Sequence, residues 1–79
     1  MNPFDIKIDN KVYEFIDSII LDGKYYVAFM DDEYTYIKEY KFNKDNIELY
    51  DINDETSKKV WEMIKWQYII FIIIISHIV

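Results

Sequence analysis

The chain has 79 residues, 52% of them apolar and 19% aromatic, with no cysteine and a formal net charge of −6 set by nine lysines, no arginine and 15 acids. That length allows one domain, and a domain this small buries only about 60% of the surface its unfolded chain exposes. Without thiols there is no disulfide framework or thiolate metal site to brace it, and an acidic chain lacking the arginine fork is a poor partner for nucleic acid.

Residues 4–9 alternate apolar Phe4, Ile6 and Ile8 with Asp5, Lys7 and Asp9, the period of a strand with one buried face. Asp9 and Asn10 supply turn chemistry. Residues 12–21 predict a longer strand on which Tyr13 and Phe15 share a face. Its alternation slips at Ile16 and Asp17, which predicts a bulge or a bend. Asp22-Gly23 follows, containing the only glycine. Between two apolar runs this pair favours a type I′ hairpin turn, because both central residues must take positive φ. Residues 24–30 form the return strand, and Asp31, Asp32 and Glu33 make the next turn. Residues 34–42 place Tyr34, Tyr36, Tyr40 and Phe42 on one face, and residues 47–52 make a last short strand after a turn at 43–46.

At Asn53 the pattern changes. Asn53 suits a helix N-cap, and Asp54 and Glu55 sit where the helix dipole favours negative charge. Val60, Trp61, Ile64 and Tyr68 then recur at helical spacing, with Glu55–Lys59 and Glu62–Lys65 placed to pair along the helix. The expected element runs from 54 to about 67, with its Trp61 face against the sheet. The expected fold class is therefore α+β and mainly β: an antiparallel five-strand meander packed with one C-terminal helix that runs into an apolar tail. Residues 1–66 make the domain and residues 67–79 the tail.

No charged side chain occurs in residues 66–79. As a helix the segment would span roughly 21 Å, short of the ~30 Å hydrocarbon core of a bilayer. Trp66 and Tyr68 fall where an interfacial aromatic belt would lie, and Lys58, Lys59 and Lys65 flank the run as a cytoplasmic side would. Trp66, Tyr68, Ile69, Ile70, Phe71, Ile72, Ile73, Ile74 and Ile75 are the residues expected to meet a membrane or a neighbouring copy. Three readings stay open: membrane anchoring, burial as further helix or strand in the fold or an oligomer, and an end foreign to the domain.

Catalytic signals are sparse. The single His77 is adjacent to Ser76, and neighbours on a helix point apart, unlike a working dyad with its orienting acid. One histidine without cysteine denies zinc its usual ligands, and one glycine leaves no phosphate-cradling loop. Asp22, Asp31, Asp32 and Glu33 are the one carboxylate set that suggests Ca²⁺ or Mg²⁺, without the spacing of a known calcium loop. The tyrosine face of Tyr34, Tyr36 and Tyr40, with Tyr25 nearby, has the makings of a base-stacking platform, which the net charge opposes.

Residues 11–29, KVYEFIDSIILDGKYYVAF, carry an aromatic-acid strand (Tyr13 to Phe15), an Ile16-Asp17 step, and a hairpin of Asp22-Gly23-Lys24 with Tyr26. This stretch resembles the signature of the domain of unknown function 1292 family, small acidic bacterial proteins. The acidic turn, the strand at 34–42 and the closing helix with Trp61 follow in the same order, so the resemblance covers residues 4–66. It implies a similar size and charge and no assigned activity, cofactor or catalytic residue. The apolar tail departs from the family pattern, which ends in a charged helix.

The composite expectation is a non-enzymatic protein-interaction module without a cofactor, binding a protein partner and no nucleic acid. Residues 1–11 lack the apolar core of a secretory signal, so the expected location is the cytoplasm, free or held by the tail at the inner face of the membrane. The alternatives are a carboxylate-dependent metal-binding protein or small enzyme, and an acidic mimic of nucleic acid.

Overall fold

Turn chemistry sets the path of the chain. Asp9 and Asn10 have φ of 48° and 67°, and Asp22 and Gly23 have φ of 52° and 76°. Each pair supplies the two positive dihedrals of a type I′ turn, whose twist matches that of the flanking strands. Lys44, with φ 56°, opens another tight turn, between the paired residues Asn43 and Asn46. The computed structural model describes residues 5–78, and the side-chain surroundings of 5–70, 72 and 73. It shows five antiparallel strands ordered as in the sequence: β1 (Asp5–Ile8), β2 (Lys11–Leu21), β3 (Lys24–Met30), β4 (Thr35–Asn43) and β5 (Asn46–Tyr50). One helix, α1 (Asp54–Ile78), follows. Phe4, assigned from sequence to the first strand, lies outside the described residues.

The break in alternation on β2 is a bulge. Pairing with β3 shifts between Phe15 and Asp17, so one extra residue is accommodated and the strand bends. Phe15 and Ser18 thereby come to the same face, while Ile16 packs with the cluster under the helix.

α1 begins as its capping residues dictate. The Thr56 amide donates to Asn53 Oδ1 at 2.7 Å, and the Ser57 amide donates to the Asn53 carbonyl at 3.0 Å. The first satisfies a donor that a helix start leaves without a partner, and the second is the first bond of the helix ladder. Val60 and Ile64, one turn apart, are fully buried against Ile19, Tyr26 and Ala28, with Ile37, Ile52 and Met63 around them. Trp61 does not lead this contact, contrary to the sequence expectation. It lies about 100° round the helix from Val60, at the margin beside Thr35 and Ile37. The pairs Glu55–Lys59 and Glu62–Lys65 are not among the ion pairs of the described residues.

The helix also does not end near Gln67. It continues to Ile78 as one element, so the apolar tail is an extension of α1. No Gly or Pro interrupts residues 54–78, and β-branched isoleucine costs a helix only a few tenths of a kcal/mol per residue. Tyr68 ties this extension to the sheet: its hydroxyl donates to the Ile16 carbonyl, at the bulge, at 3.1 Å. Among the described residues no helix is long and apolar enough to cross a membrane.

Candidate functional site

Side chains alternate across a sheet, so residues flanking those under α1 must face the other way. On β3, Tyr26 and Ala28 lie under the helix, while Tyr25, Val27 and Phe29 take the face without one. Phe29 is nonetheless only 2% exposed. Its cover comes from the sheet itself: the Phe29 ring stacks on Tyr36 at 5.3 Å and meets the edge of Tyr13 at 5.3 Å. Tyr13 and Tyr36 close the triangle edge-on at 5.6 Å. A second triangle joins Tyr25, Tyr40 and Phe42, with centroids 5.6, 5.7 and 6.3 Å apart. Each such contact adds about 0.5–1.5 kcal/mol beyond area burial.

Between these aromatic groups the face is hollowed into a groove of about 450 Å³. Phe15, Val27 and Phe29 form its floor, and Ile6 and Ile8 of β1 and Ile47 and Leu49 of β5 come in from the two edge strands. Among its lining residues Lys7 is the only charged one. Its polar feature is a pair of hydroxyls, Ser18 Oγ and Tyr40 Oη at 2.9 Å, either of which can donate. Phe42 is 66% exposed and Ile47 60% exposed at one rim, large apolar surface of the kind that marks a binding face.

Next to the groove, past the Tyr13–Phe29–Tyr36 triangle, lies a broad depression of about 990 Å³. It is lined by Asp5, Glu14, Asp31, Asp32 and Glu33, with Lys11 as its one cation. Asp31 organises it. Its carboxylate accepts the Lys11 ammonium at 2.8 Å, the amides of Glu33 and Tyr34 at 2.8 Å each, and the Tyr36 hydroxyl at 2.9 Å. The Lys11 hydrogen bond, followed by the amides of Tyr34 and Glu33, holds the Asp31 carboxyl well below the usual carboxylate range. Hydrogen bonding to the Asp31 carboxylate raises the pKa of Lys11, and the separate Tyr36–Asp31 hydrogen bond raises that of Tyr36. At the far side of the sheet Asn43 and Tyr50 donate to Glu48 and lower its pKa, and Lys38 pairs with Asp51.

The carboxylates singled out from sequence do not all come together. Asp31, Asp32 and Glu33 share the β3–β4 turn, but Asp22 sits beyond the other end of β3, whose seven residues extend about 23 Å. Asp31 already has its partners. Among the described residues no group of three or more His, Asp or Glu is arranged to hold a metal ion. The tyrosine face is real, yet Tyr25 and Tyr40 stand with Phe42 while Tyr34 and Tyr36 belong to the other aromatic group, so they form two clusters instead of one platform. On the tail, Trp66, Tyr68, Ile69, Ile70, Ile72 and Ile73 are exposed; the side chains of Phe71, Ile74, Ile75, Ser76 and His77 lie outside the described residues.

The groove itself was not visible in the sequence. Its edge residues Ile6, Ile8, Ile47 and Leu49 are apolar at alternate positions, which shows that each edge strand has an apolar face. Which face the helix would cover is a long-range outcome. No protein-family model, curated protein or solved structure matches the chain.

Proposed function

We propose that this chain is a non-catalytic binding module that takes an apolar protein segment, with a cationic stretch at one end, into the helix-free face of its sheet. The observation that carries the proposal is an apolar groove, rimmed by exposed Phe42 and Ile47, beside a depression to which the β3–β4 turn brings Asp31, Asp32 and Glu33; Asp5 and Glu14, which also line that depression, pair on the helix-bearing face. An aromatic triangle joins the two areas, so one continuous ligand can lay apolar anchors in the groove and cations over the acids. Apolar burial supplies affinity, and the acidic end supplies orientation and faster encounter. The groove offers only the Ser18–Tyr40 hydroxyl pair and Lys7 as polar groups, and the strongly shifted carboxylate, Asp31, is occupied by its own network. That favours binding over chemistry. On this reading the module is a diverged relative of the domain of unknown function 1292 proteins, a kinship carried by the β2–β3 hairpin residues 11–29.

Two synthetic peptides test the proposal, identical in their leucine and phenylalanine anchors and ending in either lysines or glutamates. In an NMR titration of the ¹⁵N-labelled chain, the lysine peptide is expected to shift the amides of Phe15, Phe29, Phe42 and Ile47, together with Asp32 and Glu33. Equal shifts from the glutamate peptide, or shifts confined to α1 around Trp61, would contradict it.

A further inference from the structure

A second apolar surface lies on α1, away from the groove. Past Lys65 the helix carries Trp66, Ile69, Ile70 and Ile73, each at least 40% exposed. Residues 69–75 contain no polar side chain, and seven residues make about two turns, so this part of the helix is apolar on every side. A groove on a protein partner, or one neighbouring helix, would cover a single side of it. Hydrocarbon covers all sides at once, and a helix apolar all round belongs in such surroundings.

We infer that the part of α1 beyond Gln67 inserts into one leaflet of a lipid bilayer without crossing it. The ten residues 69–78 extend about 15 Å, half of a ~30 Å hydrocarbon core. Upright insertion would carry Ser76 and His77 toward the bilayer centre, where polar side chains are costly, so the helix enters at a slant. Trp66 and Tyr68 lie at the entry point, the level that amphipathic rings favour. The Tyr68–Ile16 hydrogen bond fixes where the helix leaves the body. Because the whole chain carries −6, anionic lipid gives no help; contact with hydrocarbon provides the attraction. This inference is independent of the groove.

The test is flotation of the full chain with phosphatidylcholine vesicles, with and without added phosphatidylglycerol and at low and high salt. The chain is expected to float with phosphatidylcholine alone and at high salt. In the Trp61→Phe variant, the remaining Trp66 emission is expected to shift to the blue and to be quenched by brominated lipid. Placing charges in the run, Ile70→Lys with Ile73→Lys, is expected to reduce vesicle partitioning about a hundredfold or more, with an unchanged circular dichroism spectrum and unchanged peptide binding in the groove. Any of four results would overturn the inference. One is a chain that stays with the soluble fraction; another is equal flotation of the lysine variant. The others are binding that requires phosphatidylglycerol and vanishes in salt, and a lipid-free oligomer that vesicles do not dissociate.

Discussion

At Asp31 one carboxylate settles the shape of a whole turn. It gathers two backbone amides, a phenol and the ammonium of Lys11, twenty residues earlier. A group whose folded pKa is depressed contributes stability above its unfolded pKa, and that contribution fades as pH falls through the acid range. Asp31→Asn is therefore expected to lower the melting temperature at neutral pH. The gap from the parent protein should narrow below about pH 4, where the unfolded-state carboxylate takes up its proton. Melting curves across that range would decide it, since a gap independent of pH contradicts the assignment. Gly23 illustrates a separate constraint. A Cβ added there meets nothing within 4 Å, yet φ is +76°, so any cost comes from the backbone alone. Gly23→Ala is expected to destabilise by about 1–2 kcal/mol in urea unfolding, and Gly23→Asn by clearly less, because asparagine tolerates left-handed backbone. Equal losses would point to some role other than conformation. In the sequence, the glycine's role was legible because its turn is local; Asp31's was not, because its partners include a lysine on another strand. Read as one of a cluster of acids, it suggested a metal.

Among the elements, those specified by neighbouring residues agree most closely with the sequence reading: the type I′ turn at Asp22-Gly23, the β2 bulge and the Asn53 cap. Two features of α1 differ. Its length followed from the lack of any breaker in residues 54–78, whereas an isoleucine run reads equally as strand or helix. Its contact line runs through Val60 and Ile64, leaving Trp61 at the margin, because the angle at which a helix crosses a sheet depends on side chains from several strands. Truncation at the centre of that seam should show the difference. Ile64→Ala, at a fully buried site, is expected to cost about 2–5 kcal/mol, a large share of the stability of a small domain. Trp61→Ala should cost clearly less despite its larger ring. Denaturant unfolding of both variants provides the check, and a reversed order would mean that the seam is centred elsewhere.

For the whole molecule, one helix must serve a five-stranded sheet that carries apolar side chains on both faces. It covers one face over Ile19, Tyr26 and Ala28. On the other, aromatic rings shield Val27 and Phe29 but leave the groove open. Strand alternation predicts one buried face, so the apolar character of the second face was not legible in advance. The groove's existence depends on which face the helix takes and on how the edge strands curl, and those are properties of the assembled fold. The acidic depression likewise draws on β1, β2 and the β3–β4 turn, segments that only the meander brings together. The affinity of the lysine-ended peptide for the parent chain and for the Phe42→Ser, Ile47→Ser double variant tests this account most directly. Both side chains are more than half exposed, so the fold should keep its melting temperature while the dissociation constant rises about tenfold or more, as for loss of apolar anchors. An unchanged dissociation constant would contradict it.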